Sequence, residues 1–75
     1  MIIKKGQNLI VQDRRKGTYK AVACDDFDTE TTEFYPVEVR EGYVVGLTTV
    51  WGKGNTIPCR NTQATIALDE ENNND

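Results

Sequence analysis

Two strand-like runs that meet at Gly42 constrain the fold of this chain more than any other feature. Residues 34–51 are rich in β-branched and aromatic side chains, which is typical of strands. A three-residue loop over 40–42, closed by Gly42 at positive φ, sets Val37 opposite Val45. The same register pairs Val39 with Tyr43 and Tyr35 with Leu47. A two-residue loop would place charges opposite apolar residues, because such a slip turns every side chain to the other face, so we predict a central hairpin in the first register.

The chain before this hairpin predicts another one. Residues 9–11 and 18–24 have the β-branched and aromatic content of strands. The polar segment between them, 12–17, ends in glycine and would form a loop with a basic tip. Residues 25–33 contain one apolar side chain and are rich in Asp and Thr, so we expect a loop there rather than a helix.

The chain after the central hairpin predicts two further strands. Residues 52–55 are a strong turn signal. The next run, 56–60, contains Pro58, which has no N–H to donate, so this strand should be brief or lie at the edge of a sheet. A last strand over 62–68 would direct three side chains inward, those of Ala64, Ile66 and Leu68.

Five or six short strands joined mostly by local turns, without a helix, are typical of a small barrel built from sequential hairpins. Two segments carry a resemblance. Ala23-Cys-Asp-Asp-Phe27, with the acidic loop 28–33 after it, is similar to the opening of SH3 domains, and Ile57-Pro-Cys-Arg-Asn61 resembles their Pro-x-x-Asn segment. The resemblance implies an SH3-like barrel, with Trp51 as a candidate for the tryptophan of a groove that binds proline-rich peptides. Thr62 stands where the family usually has tyrosine, so the resemblance bears on the fold more than on peptide binding.

A chain of 75 residues has room for one domain, which we place at residues 1–68. Residues 69–75 are acidic and rich in Asn, and we expect them to form a disordered tail. The sequence contains no apolar run of about 18 residues and its start lacks the apolar region of a secretory signal. We therefore expect a soluble, cytoplasmic protein.

The absence of histidine restricts the chemistry of this chain. It excludes His-based acid–base catalysis, Ser-His and Cys-His nucleophile pairs and His-ligated metals, and we predict no catalytic residues and no cofactor. Cys24 and Cys59 would form a disulfide if their strands were adjacent, and otherwise would be two small buried thiols.

An acidic stretch offers oxygen atoms at alternate positions, which is the start of a calcium-binding loop. The carboxylates are those of Asp26, Asp28 and Glu30. The pattern then fails, because the sixth position is Thr31 rather than glycine and the twelfth is Val37 rather than glutamate. We predict a solvated acidic loop and no metal site.

Charges of opposite sign are separated along the sequence. Residues 1–20 hold six Lys or Arg and one Asp, whereas residues 21–41 hold seven Asp or Glu and one Arg. The first set could bind nucleic acid if its cations shared one face and an aromatic ring stacked on a base. The candidate nucleic-acid-binding residues are Lys4, Lys5, Arg14, Arg15, Lys16, Tyr19 and Lys20.

The outer face of the central hairpin is more apolar than a solvent-facing surface should be. In the predicted register, this face collects Phe34, Pro36, Val44 and Val50, and Trp51 is a further candidate interface residue. Either Ile2 and Ile3 fold over this face or it is an interface with another protein or a second copy.

Three functional hypotheses follow. The first is a non-enzymatic protein–protein interaction module or small regulator that acts through this apolar face. The second is a nucleic-acid-binding barrel that uses the basic hairpin tip. The third is an oligomeric enzyme whose site is shared between copies.

Overall fold

A computed structural model describes residues 1–14, 17–41, 44–45, 50–51, 54 and 56–70, with the backbone alone at 44–45, 50–51 and 57–58. These residues form an all-β structure with no helical element, as the sequence predicts. No helix in the described ranges is long and apolar enough to cross a membrane. The strands are β1 (Ile2–Ile3), β2 (Asn8–Asp13), β3 (Gly17–Ala23), β4 (Phe27–Asp28), β5 (Phe34–Glu41), β6 (Val44–Val45), β7 (Val50–Trp51), β8 (Thr56–Arg60) and β9 (Ala64–Leu68).

Five of these strands form one antiparallel sheet in the order β8-β5-β3-β2-β9. The β2–β3 pair is the predicted first hairpin, with Asp13 opposite Gly17. Gly17 has a φ of 83°, a left-handed conformation that a residue with a Cβ adopts only with strain. Arg14 begins the loop, and Arg15 and Lys16 lie outside the described residues. The hairpin is therefore confirmed, and its glycine supplies the turn.

The predicted central hairpin is wrong. Val37 in β5 lies opposite Ala23 in β3 and Ile57 in β8, and not opposite Val45. Val45 instead lies opposite Val50, in a separate two-stranded sheet of β6 and β7. Because β3 and β8 pair with β5 on both sides of Val37, the run that follows β5 cannot pair with it there. The same prediction also concerned the conformation of Gly42 and the pairs made by Tyr43 and Leu47. These three residues lie outside the described part of the chain.

Two prolines lie opposite each other at the β5–β8 contact. The carbonyl of Pro36 accepts the N–H of Cys24 at 2.8 Å, so the backbone polar groups of Pro36 face β3. Pro36 and Pro58 therefore form a pair without ladder hydrogen bonds, and the nitrogen of Pro58 faces away from β5. The absent N–H of Pro58 costs the sheet nothing, and its predicted edge position is confirmed.

A three-residue turn joins the two edge strands of the sheet. Arg60 ends β8 and Ala64 begins β9, so four residue steps cover at most about 14 Å. Four strand spacings in a flat sheet would separate these edges by about 19 Å, so the sheet must curl. Within the described residues β8 and β9 are not paired with each other, and the sheet is not closed into a hydrogen-bonded barrel.

The concave face of the curled sheet holds the core. Alternate residues of each strand are buried there, as period-two alternation requires. The buried apolar residues are Ile3, Leu9, Val11, Tyr19, Ala21, Ala23, Phe27, Tyr35, Val37, Val39, Cys59 and Ala64, and Ile66 and Leu68 pack against them half-buried. The predicted inward faces of β5 and β9 are thus confirmed for the described side chains.

A small sheet formed by β1 and β4 closes one side of this core. Ile3 lies opposite Phe27 and is fully buried, so the segment 25–33, expected to be a loop, contains a short strand. The N-terminal ammonium lies 3.3 Å from a carboxylate oxygen of Asp28. The Glu30 N–H first, and then this ammonium, hold the pKa of Asp28 below its ordinary range.

The chain remains in contact with the sheet after β9. Asp69, the first residue of the expected tail, is 3% exposed, and its N–H donates to the carbonyl of Asn8 at 3.0 Å. Residues 71–75 lie outside the described part of the chain.

Candidate functional site

The convex face of the sheet carries an exposed aromatic ring next to a cation. Phe34 in β5 lies opposite Arg60 in β8, and the guanidinium carbon of Arg60 is 5.4 Å from the centre of the Phe34 ring. This distance is within the range of a cation–π contact. Phe34 is nevertheless 43% exposed and is one of three exposed large apolar residues in the described ranges, the others being Met1 and Ile2.

Hydrogen bonds hold the backbone around Phe34 in place. The Thr32 hydroxyl donates to the carbonyl of Phe34 at 2.8 Å. The side-chain amide of Asn61 donates to the carbonyl of Thr32, and the Asn61 N–H donates to that of Glu33 at 3.1 Å. The approach to β5 is thereby tied to the turn between β8 and β9, so the ring is presented from an ordered backbone.

Two neighbours extend this surface along β5. Pro36 is half-buried on the same face, and the exposed Cys24 donates its N–H to the Pro36 carbonyl. We use the name Phe34 strip for Phe34, Arg60, Pro36 and Cys24. The strip is apolar at its centre and carries one formal charge, that of Arg60, so it can bury an apolar group while it binds an anionic one.

The rest of the predicted interface is not joined to this strip by the expected register. Val44 belongs to β6, and Val50 and Trp51 to β7, so none of them pairs with β5. Their side chains lie outside the described part of the structure. Strand pairing therefore does not bring Val44 next to Phe34, because the predicted hairpin that would join them is absent.

The two N-terminal isoleucines do not cover Phe34 completely. Ile3 is buried in the core opposite Phe27, and Ile2 is 58% exposed opposite Asp28. The sequence left two alternatives, in which Ile2 and Ile3 either cover the convex face or leave it open. In the structure, β1 leaves a large part of the Phe34 ring accessible.

The predicted nucleic-acid-binding residues are spread over the molecule. Tyr19 is 2% exposed, so the expectation of an accessible ring is wrong: it occupies an inward position of β3. The amines of two lysines lie near carboxylates, Lys4 at 3.9 Å from Asp26 and Lys20 at 3.5 Å from Glu41. Lys4 and Lys5 precede β2 whereas Arg14 follows it, and six residues of strand separate them by roughly 17–20 Å.

A polar cluster lies inside the core, and no local sequence pattern indicates it. The Cys59 thiol donates to Oδ2 of the buried Asp13 at 3.2 Å. The buried hydroxyl of Tyr19 lies beside this pair and makes no hydrogen bond of ordinary geometry in the described structure. Burial first, and then the neighbouring Cys59 and Asp13, raise the pKa of Tyr19 well above its ordinary value.

The acidic loop uses its carboxylates to bind the backbone. Oδ1 of Asp26 accepts the N–H of Lys5 at 2.8 Å, and Oδ1 of Asp28 accepts that of Glu30 at 2.9 Å. No cluster of three Cys, Asp or Glu side chains with the spacing of a metal site occurs among the described residues. Cys24 and Cys59 are both described and form no disulfide, since one is exposed and the other lies in the core.

Comparison of the chain with protein families, curated proteins and solved structures finds no significant match.

Proposed function

We propose that this protein is a non-enzymatic protein–protein interaction module, built on a small SH3-like barrel, that binds its partner through the Phe34 strip. The observation that carries the proposal is the exposed Phe34 ring, ordered by hydrogen bonds and stacked beside Arg60. Aromatic residues and arginine are enriched at the centres of protein interfaces, where they contribute a large part of the binding energy.

The strand order supports the barrel part of the proposal. Five antiparallel strands follow one another across the curled sheet, and a turn of three residues, 61–63, connects its two edges. A small curled sheet of this kind, with its core on the concave side, leaves the convex side for recognition.

The chemistry of the strip defines the partner it would bind. The Phe34 ring offers apolar area that loses water on contact, and Pro36 extends this area at little cost in conformational entropy. Arg60 presents guanidinium donors that can bind a carboxylate in two-pronged geometry. The expected partner is a protein surface on which an Asp or Glu lies beside an apolar side chain.

The proposal is tested by comparing proteins captured by the wild type with those captured by two alanine variants. Phe34→Ala removes the exposed ring, and Ile2→Ala is the matched control because it removes another exposed apolar side chain on a different sheet. We expect a partner that is retained by the wild type and by Ile2→Ala and is lost with Phe34→Ala. Thermal melts establish that both variants are folded.

Arg60→Gln gives a second measurement on the same partner. It keeps much of the side-chain length and removes the charge, so the affinity should fall and its salt dependence should weaken. Equal capture by the wild type and Phe34→Ala, or no specific capture by the wild type, would refute the proposal.

A further inference from the structure

The two edges of the five-stranded sheet are unequal. In β8, the backbone groups of Thr56, Pro58 and Arg60 face away from β5, because residues alternate in direction and Pro36 faces β3. Pro58 stands in the middle of that edge and removes its central donor. Proline and charged side chains on edge strands prevent pairing with other chains, so the β8 edge is protected.

The β9 edge has no such protection. Its sequence from Ala64 to Leu68 contains no charge, no proline and no glycine, and β9 pairs along one side with β2. Within the described residues nothing pairs with its other side. An uncharged edge strand with intact donors and acceptors is a template for another strand.

The register of β2 and β9 determines which groups are available. The N–H of Arg14 donates to the Gln63 carbonyl, and the Asp69 N–H donates to Asn8, so odd-numbered residues of this segment face β2. The backbone groups of Ala64, Ile66 and Leu68 therefore face away from β2. The Ala64 carbonyl accepts the Tyr35 hydroxyl at 3.4 Å, as expected for a group that faces away from β2. This hydrogen bond leaves the Ala64 carbonyl unavailable to a new strand. The groups that remain for a new strand are those of Ile66 and Leu68.

We propose that β9 pairs antiparallel with β9 of a second copy of this chain, with Ala67 on the two-fold axis. This register sets Ile66 of each copy opposite Leu68 of the other, so that the two residues exchange N–H···O=C bonds across the interface. Ile66 and Leu68 are half-buried against the core, and each would cover the remaining apolar surface of the other. Ala67 is exposed and small, which suits the close Cα approach of a pair without hydrogen bonds.

Charge favours this partner and this orientation. β9 is followed, after the buried Asp69, by the exposed Glu70, and the start of β9 lies near the exposed Arg14, whose N–H donates to the carbonyl of Gln63, the residue before the strand. Antiparallel pairing brings the acidic end of one copy towards the basic end of the other, whereas parallel pairing would bring the two acidic ends together.

The test uses one substitution at the two-fold axis and one beside it. Ala67→Lys places two ammonium groups opposite each other, and we expect dimerisation roughly fivefold weaker in sedimentation equilibrium. Thr65→Lys is the matched control, because it adds the same charge to the same exposed side of β9 but away from the two-fold axis, so the two new ammonium groups do not face each other and its dimer should weaken less than that of Ala67→Lys. Mixing Ala67→Lys with Ala67→Glu should restore the dimer as a heterodimer.

Amide hydrogen exchange of the wild type gives a measurement that does not depend on the variants folding. The N–H groups of Ile66 and Leu68 should become protected as the protein concentration rises, while those of Thr65 and Ala67, which face β2, are protected throughout. A monomeric wild type with unprotected Ile66 and Leu68 at its highest soluble concentration would overturn the proposal. So would a dimer that Ala67→Lys and Thr65→Lys affect equally, because it would use another surface.

Discussion

Replacing Tyr19 by phenylalanine tests whether the polar cluster in the core stabilises the protein or weakens it. The Tyr19 side chain is 2% exposed, and its hydroxyl has no hydrogen bond of ordinary geometry in the described structure. The nearby Cys59 thiol donates its hydrogen to Asp13, so it offers Tyr19 no donor and only a weak sulfur acceptor. Tyr19→Phe removes the hydroxyl and keeps the ring that packs in the core.

The expected effect on the free energy of unfolding at pH 7 is a gain. A buried polar group without a partner costs about 1–3 kcal/mol, and the small void left by the oxygen returns part of that amount. We therefore expect Tyr19→Phe to stabilise the protein by about 1 kcal/mol. Tyr35→Phe is the matched control, because the Tyr35 hydroxyl donates to the Ala64 carbonyl at 3.4 Å, and its loss should cost about 0.5–1.5 kcal/mol.

Alkaline pH provides a second readout of the same substitution. Burial raises the pKa of Tyr19 in the folded state, whereas in the unfolded chain this phenol ionises near pH 10. Above pH 10 the unfolded state therefore binds fewer protons than the folded state, and stability falls as the pH rises. Each such tyrosine lowers the free energy of unfolding by about 1.4 kcal/mol per pH unit in this range, and Tyr19→Phe should reduce the total slope by the contribution of one tyrosine. Burial also raises the pKa of Tyr35, so part of the slope should remain.

The assay is urea denaturation followed by circular dichroism at pH 7 and at half-unit steps above pH 9, for the wild type and both variants. A loss of 1 kcal/mol or more for Tyr19→Phe at pH 7 would refute the reasoning, because it would mean that the hydroxyl makes a stabilising hydrogen bond. An unchanged slope above pH 10 would show that Tyr19 ionises as readily in the folded protein as in the unfolded chain.

Two further predictions concern the backbone and the core. Val37→Ala should destabilise by about 2 kcal/mol because it leaves a cavity at a fully buried position, whereas Glu38→Ala should cost less than about 0.5 kcal/mol, and equal losses in urea melts would contradict the observed facing of β5. Gly17→Val should cost about 1–3 kcal/mol because it forces a β-branched residue to a φ of 83°, and a thermal melt unchanged from the wild type would contradict that conformation.

The strands that could be predicted are those whose signal is local. The β2–β3 hairpin has β-branched runs on both sides of a polar loop that ends in Gly17, and the structure contains it. Pro58 indicated an edge strand because a missing donor is tolerated only there, and β8 is an edge. Alternation along β5 correctly indicated that Val37 and Val39 face inward, since side-chain direction depends on the strand itself.

The partners of β5 could not be predicted from its own sequence. An alternating strand presents the same apolar face to any neighbour, and the local sequence favours pairing Val37 with Val45 because a short loop would set apolar residues opposite each other. The structure instead places β5 between β3 and β8, where it gains a hydrogen-bonded neighbour on each side. The convex position of Phe34 followed from alternation, but its cation–π contact with Arg60 required the β5–β8 pair.

The sequence by itself therefore determined the class of the fold, the strands flanked by clear turns and the inward side of each, because these depend on composition and on a period of two residues. Tertiary structure alone decided which strands meet, and with that the Phe34 strip, the Cys59–Asp13 contact and the unequal edges at β8 and β9. The physical reason is that these features join residues distant in sequence: Cys59 and Asp13 are 46 positions apart. Such contacts form only when the whole sheet curls around a shared core, and no local pattern encodes that curl.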